Sequence, residues 1–349
     1  MKFNIKNFPD LSLKSLFLIL SSLFVLIILF ALFLTYKINY QVNTFSEDKT
    51  IRIKPGTPFS IISENLEKDS IIKSAFWFKI AAKIQGKDDK IISKSFIIKP
   101  GLNNLELLDI LVDPSLKFTV KITIPEGMSL RQIGKIYSKK FNYNENDFIK
   151  ETRNDSLLHI LGLKGKVQNL EGFLFPDTYI FNFDITPKEI VYELFNEFYK
   201  RVINVEKYGL KNKPDKLLKI ITLASIVQGE TQLVSEMPTV AGVYTNRLLK
   251  RMRLEADPTV QYALPDGPKQ RLLNEDLKIK SPYNTYLNFG LPPGPINSPG
   301  IKAIESALYP EKHNYLFFVA TGKGGHTFST TYSEHLNAVK EYRKNVQQK

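Results

Sequence analysis

Leu16 to Leu34 reads LFLILSSLFVLIILFALFL, nineteen residues in which Ser21 and Ser22 are the only polar side chains. A hydrocarbon layer about 30 Å thick takes roughly 20 apolar residues of helix to cross. The sequence therefore predicts a single transmembrane helix over residues 16–35, with the lipid bilayer as its partner. A secretory signal is the alternative, but its apolar region normally runs about 7 to 15 residues and ends at a small-x-small cleavage site. Thr35-Tyr-Lys-Ile-Asn39 offers no such site. Lys2, Lys6 and Lys14 precede the span and Lys37 alone follows it closely. This positive-inside bias places residues 1–15 in the cytoplasm and everything beyond a linker, residues 36–49, outside.

Several chemistries are disfavoured early. The chain has no cysteine, which removes disulfide frameworks and thiolate metal sites. Its four histidines, at 159, 313, 326 and 335, show no metal-ligand spacing, so neither a metal nor a cofactor is expected. A net charge of +13 fits either a lysine-rich composition or attraction to an anionic wall polymer or lipid headgroups. Nucleic acid is not an expected partner, because no compact basic stretch interleaved with aromatics occurs. Gly322-Lys-Gly-Gly325 lacks the phosphate-loop pattern and reads as a turn, and no GxSxG nucleophile elbow is present.

Beyond the linker, a strand, a glycine turn and a helix recur three times, beginning at Ile51, Phe96 and Ile122. Gly56, Gly101 and Gly127 supply the turns. A second helix over residues 74–85 gives residues 50–99 the order βααβ, which looks like a LysM-type module, a fold associated with N-acetylglucosamine polymers. A plain α+β spacer is the alternative. Residues 50–141 are thus expected to form one α+β region. Residues 142–349 read as a mainly helical domain, with helices near 145–152, 186–204, 215–231 and 237–250. Residues 253–300 are rich in proline and glycine and carry Tyr283-Asn284-Thr285-Tyr286, a composition that long loops hold when they bind something. Residues 315–329 read as a β-hairpin, followed by a helix from about Tyr332. The fold class is α+β.

Glu230 is the first acid after Asp215 and closes a run in which Ile220, Leu223, Ala224 and Val227 share one helical face. A carboxyl at the edge of an apolar face loses hydration, which raises its pKa toward the range useful for a general acid. Gly229 beside it has no side chain to hinder a bulky substrate. The competing reading is a frayed helix end with an exposed glutamate. Sugar cleavage usually recruits two carboxyls. Asp177, Glu236, Glu255 and Asp257 are candidate partners and none stands out, Asp257 before Pro258 being equally natural as a helix N-cap. One carboxyl suffices if the substrate supplies its own hydroxyl as nucleophile. His326, after Gly324-Gly325, either donates to an acetamido or lactyl oxygen or is a satisfied hairpin-end histidine.

Seven segments, in order, carry a resemblance. They are Glu171-Gly-Phe-Leu-Phe-Pro-Asp-Thr-Tyr179, Leu223-Ala-Ser-Ile-Val-Gln-Gly-Glu-Thr231, Val243-Tyr-Thr-Asn-Arg-Leu248, Met252-Arg-Leu-Glu-Ala-Asp-Pro-Thr-Val260, Ser281-Pro-Tyr-Asn-Thr-Tyr286, Gly290-Leu-Pro-Pro-Gly294 and Gly324-Gly-His-Thr-Phe328. Together with the apolar span and the LysM-like region, they resemble the endolytic murein transglycosylase (MltG, YceG-like) family over nearly the whole chain. The resemblance implies a lytic transglycosylase of the bacterial cytoplasmic membrane, with residues 142–349 as the catalytic domain. Such an enzyme cuts peptidoglycan between N-acetylmuramic acid and N-acetylglucosamine within a strand, leaves a 1,6-anhydro end, and works beside the peptidoglycan synthases. The family commonly carries two acids two positions apart in the helix motif. Here the first is Gln228, and the second, taken as catalytic, is Glu230. By the same analogy Tyr283, Asn284, Asn246, Asp257 and His326 are candidate substrate-binding residues. A wall-binding scaffold without turnover, or a two-carboxylate hydrolase, would carry the same motifs.

Overall fold

The computed structural model describes residues 13–40, 42–116, 119–141, 143–265 and 267–347. Lys2 and Lys6 of the expected cytoplasmic tail lie outside them. The chain divides into two compact units, one comprising residues up to 120 with Asn182–Asp184, the other Lys121–Phe181 with Ile185–Lys349.

The first unit begins with helix α1 (Leu13–Thr35), which runs on into a π-helical turn, Tyr36–Tyr40. The span Lys14–Asn39 is long and apolar enough to cross a membrane. Its side chains are turned outward, with Phe17 72% and Phe30 61% exposed. The hydroxyls of Ser21 and Ser22 donate to the carbonyls of Leu18 and Ile19, so the span's few polar groups are satisfied within the helix, as a hydrocarbon environment demands. Strand β1 (Lys49–Arg52), helices α2 (Phe59–Lys68) and α3 (Ala75–Gln85) and strand β2 (Ser95–Ile98) follow in the βααβ order read from the sequence. β1 and β2 pair antiparallel, Ile51 opposite Phe96. Helix α4 (Asn104–Val112) starts at a capping box formed by Asn103 and Glu106. Ile51, Leu66, Phe78, Phe96 and Leu108 form the core between the strands and the helices.

The third strand-turn-helix copy belongs with the second unit. Its strand β3 (Thr119–Thr123) pairs with a strand far along the chain, and its helix α5 (Leu130–Phe141) packs on α6 (Glu145–Glu151). Helix α5 and the chain that follows it thus share this unit, apart from Asn182–Asp184. Next come α7 (Asp155–Ile160), β4 (Thr178–Asn182), which is the partner of β3, and α8 (Pro187–Phe198), opened by a capping box of Thr186 and Glu189.

Helix α9 (Pro214–Glu230) is the axis of the unit. α10 (Met237–Leu249), α11 (Asp257–Ala263) and α12 (Ile301–Leu308) all pack against it. Ile221, Ile226 and Val227 of α9 are sealed from solvent, and burying such side chains contributes about 1.5–3 kcal/mol each. Strands β5 (Phe317–Ala320) and β6 (His326–Ser329) form the expected antiparallel hairpin, covered by α13 (Tyr332–Gln347). Helix α11 lies within the proline- and glycine-rich stretch, where only the N-cap alternative for Asp257 anticipates a helix. Ala256 is its N-cap residue and Asp257 its first residue, so the N-cap alternative for Asp257 is not realised.

Candidate active site

α9 stops at Glu230 because Thr231 turns extended, with φ −143° and ψ 142°. The carboxyl is thereby carried out of the apolar helix packing to a position that is half-buried, open to solvent on one side and surrounded by protein on the others. Loss of hydration pushes its pKa up to about 7. The Tyr244 hydroxyl of α10 donates to Glu230 Oε1 at 2.5 Å and works in the opposite direction, favouring the charged form. The negative charge of Asp257 raises the pKa further, while the guanidinium of Arg247 lowers it. Tyr244 is buried, its ring set edge-on to Phe318 of the hairpin at 5.9 Å, so the donor cannot swing away from the carboxyl.

Around this pair stand three more groups. The Tyr286 hydroxyl donates to Asp257 Oδ1 at 2.6 Å. Arg247 is buried and donates to the carbonyls of Leu316, Arg253 and Leu254 and to Glu255 Oε2, with its plane 5.1 Å over the Phe317 ring. Glu255 has a left-handed backbone, φ +50°, a conformation that non-glycine residues hold only when their surroundings impose it. The site thus combines a neutral-prone acid, a charged aspartate, two phenols and a buried guanidinium, with Asp257 and Glu255 exposed to solvent. Such a set can give a proton to a leaving oxygen and stabilise positive charge on a sugar ring.

Of the residues expected in the cleft, Asp257 comes together with Glu230. The others take different places. Asn284 is fully buried, its amide donating to the carbonyls of Leu277 and Ile279, so it organises the loop from inside. Asn246 donates to the carbonyls of His313 and Tyr315 and fixes the chain entering the hairpin. His326 Nδ1 lies 2.7 Å from Glu236, and its ring meets Phe318 edge-on at 5.4 Å, placing it behind the same aromatic side chain that backs Tyr244. The Tyr283 ring meets that of Tyr262 at 4.9 Å, tilted by 53°, beside a second buried acid. That acid is Glu171, which accepts from the backbone N–H of Leu130 at the start of α5 and from Tyr262, and which burial pushes up to about 8. Gln228 accepts from the backbone N–H of Gly300 at the N-terminus of α12 and is sealed from solvent.

One local expectation is corrected. Gly229 is exposed on one side, but the direction its side chain would take is filled by protein: a Cβ there would lie 2.6 Å from Pro258 Cβ. The glycine makes room for α11 rather than for substrate. Tyr244, Tyr286 and Arg247 were not singled out from sequence, although all three lie within motifs quoted above. Their roles depend on partners far along the chain, for which a local pattern has no signal.

The family model described as YceG-like matches residues 51–341. An endolytic murein transglycosylase of Bacillus subtilis (strain 168) is 31% identical over 304 residues, covering 84% of this chain and 84% of that protein. One of Streptococcus pneumoniae serotype 2 (strain D39 / NCTC 7466) is 28% identical over 323 residues, covering 84% of this chain and 58% of its own greater length. Among solved structures, the 2.6 Å crystal structure of a yceG-like protein of Listeria monocytogenes superposes with a TM-score of 0.58 at 31% identity, over 83% of this chain and 98% of that one. Sequence, fold and the ordered motifs around Glu230 agree: the chain belongs to the YceG-like family.

Proposed function

We propose that this chain is a membrane-anchored endolytic lytic transglycosylase of the cell wall, with Glu230 as its general acid and base. The observation that carries the reading is the environment of Glu230: an acid at the mouth of an otherwise apolar helix, raised to about 7, gripped by Tyr244 and facing Asp257. The names of its relatives support the substrate class. Protonated Glu230 gives its proton to the glycosidic oxygen as the bond to muramic acid C1 breaks. The positive charge that develops on C1 and the ring oxygen is stabilised by the Asp257 carboxylate, which Tyr286 orients. Glu230, now charged, accepts the proton of the same sugar's C6 hydroxyl as that oxygen bonds to C1. A 1,6-anhydro end results, no water is consumed, and the acid is restored.

In this reading α1 spans the bacterial cytoplasmic membrane with its N-terminus inside, and the rest of the chain lies on the outer side, where new glycan strands leave the synthases. The βααβ portion acts as a LysM-like module that holds or positions the strand, with Tyr283 and His326 touching glycan away from the catalytic group. The domain scheme is a tail of residues 1–15, the span, the linker, the LysM-like region and the catalytic part. The nearness of a second carboxylate, Asp257, favours one rival reading, hydrolysis by a carboxyl pair. The test is to incubate the full-length chain in detergent with purified uncrosslinked glycan strands and weigh the products. Ends lighter by one water than reducing ends are expected. Reducing ends alone would establish the hydrolase instead, and intact strands would reduce the chain to a scaffold.

A further inference from the structure

Helix α10 carries Tyr244, whose hydroxyl reaches Glu230, and one turn further along the same face it carries Leu248. Leu248 forms one wall of a surface groove of about 480 Å³, completed by Arg251, Met252, Phe289 and Gly290. Pockets that hold small ligands run from roughly 300 to 1,000 Å³. The chain leaving α10 turns sharply at Arg251, whose φ is +54°. Glycine is commonest just past a helix end, and a side chain in this left-handed conformation costs about 1–2 kcal/mol. Next to it, the exposed Arg253 guanidinium lies 4.8 Å from the centroid of the Phe289 ring, and that ring is itself 66% exposed. Stacking of this kind occupies the face of a guanidinium and leaves the N–H donors on its edge open. The acids of the same loop are committed elsewhere, Glu255 to Arg247 and Asp257 to Tyr286. Among the described residues, neither the Arg251 nor the Arg253 side chain has a carboxylate partner.

We infer, taking peptidoglycan as the substrate proposed above, that this groove binds the stem peptide hanging from the lactyl group of a muramic acid beside the cut. Such a peptide carries what the groove complements. Its carboxylates accept forked hydrogen bonds from guanidinium groups, and its alanine methyls suit Leu248, Met252 and Phe289. The sugar chain itself presents hydroxyls and acetamido groups, which have no need of an aromatic-backed pair of cations. Reach is sufficient. Asp257 lies four residues beyond Arg253, so their backbones are at most about 14 Å apart, and a stem of four or five residues extends about 14–17 Å. A muramic acid seated at Glu230 can therefore lay its peptide across both arginines.

The experiment measures the affinity of the full chain in detergent for two fluorescently labelled, uncrosslinked strands. One keeps its stem peptides, and the other has been stripped by an amidase that cuts the lactyl amide. Stripping leaves a carboxylate on each lactyl group, so general attraction to an anionic strand survives it and the difference reads the peptide. Wild type should bind the peptide-bearing strand about tenfold more tightly. Arg251→Gln with Arg253→Gln should erase that preference while affinity for the stripped strand stays within about twofold. Arg253→Lys keeps the charge but loses the fork, and Phe289→Ala removes the ring that steadies it; each should leave about threefold of the preference. Equal affinity of wild type for the two strands would overturn the inference, as would a double variant that weakens both equally, which would give the arginines to the glycan itself. Weighing the products of the same mixtures tests the proposed reaction separately. Uncut strands with the preference intact would remove the transglycosylase and leave the peptide groove standing.

Discussion

Glu230 and Glu171 are both carboxyls withdrawn from water, both held by a tyrosine, and both raised well above the ordinary glutamate value of 4.5, to about 7 and about 8. They differ in what surrounds the second side of the carboxyl. Glu171 is sealed, and its oxygens accept from the first N–H of α5, an orphan donor that the helix cannot satisfy itself. Glu230 sits where a helix ends against solvent, beside an exposed aspartate. A raised pKa therefore marks burial in both places, and in the proposed reading chemistry in only one. Access to a substrate makes the difference, and a displaced titration does not reveal access.

The comparison can be broken most directly at Glu230. Glu230→Gln keeps shape and removes the proton, so turnover should fall by about 10² to 10⁴ while the melting temperature barely moves. Full activity in that variant would put the chemistry elsewhere, with Asp257 the next residue to change. Glu171→Ala should do the reverse: it strands the Leu130 N–H and leaves a void, destabilising the unit by about 2–4 kcal/mol in chemical denaturation. Activity per folded molecule should stay within a few-fold of wild type.

A subtler separation comes from pH. A carboxyl raised in the folded state lends stability that is fully present below about 4.5 and is lost as pH rises through its folded value, about 8 for Glu171. Unfolding free energy measured from pH 5 to 8.5 should therefore decline in wild type and decline less in Glu171→Gln, which has nothing to titrate. The smallest effect belongs to Tyr244→Phe. Its hydroxyl favours charged Glu230, so losing it should move the alkaline fall in kcat/KM from near 7 to higher pH. A move to lower pH would show that the phenol acts on something other than the acid.

What was legible in the sequence is what repeats locally. The apolar span, the βααβ order, the helix ending at Glu230 and the hairpin around Gly322 to Gly325 each have a periodicity or a turn residue that announces them. The site's wiring has neither. Tyr244 reaches Glu230 from the next helix, and Tyr286 reaches Asp257 across 29 residues. Asn284 and Asn246 enter the candidate site by analogy with the family motifs, and an amide that braces a loop from within has the same letter as one that faces a ligand. Gly229 was read as open space because its occupant, Pro258, belongs to a helix hidden in a stretch whose composition suits loops. Shape complementarity between distant segments leaves no trace in a local pattern, so it emerges only when the chain is folded.

Arg247 carries a consequence for the order in which the molecule can be built. Its guanidinium is buried against Glu255, and one of the bonds that makes this tolerable goes to the carbonyl of Leu316, 69 residues later, with Phe317 capping its face. On a ribosome Glu230 emerges early, but the cation that helps set its charge has no lodging until the hairpin strand follows. On the proposed reading, an enzyme that cuts the cell's own wall would thus stay unfinished until its hairpin is made, and a chain stalled partway through synthesis would present Glu230 without the cation that helps set its charge.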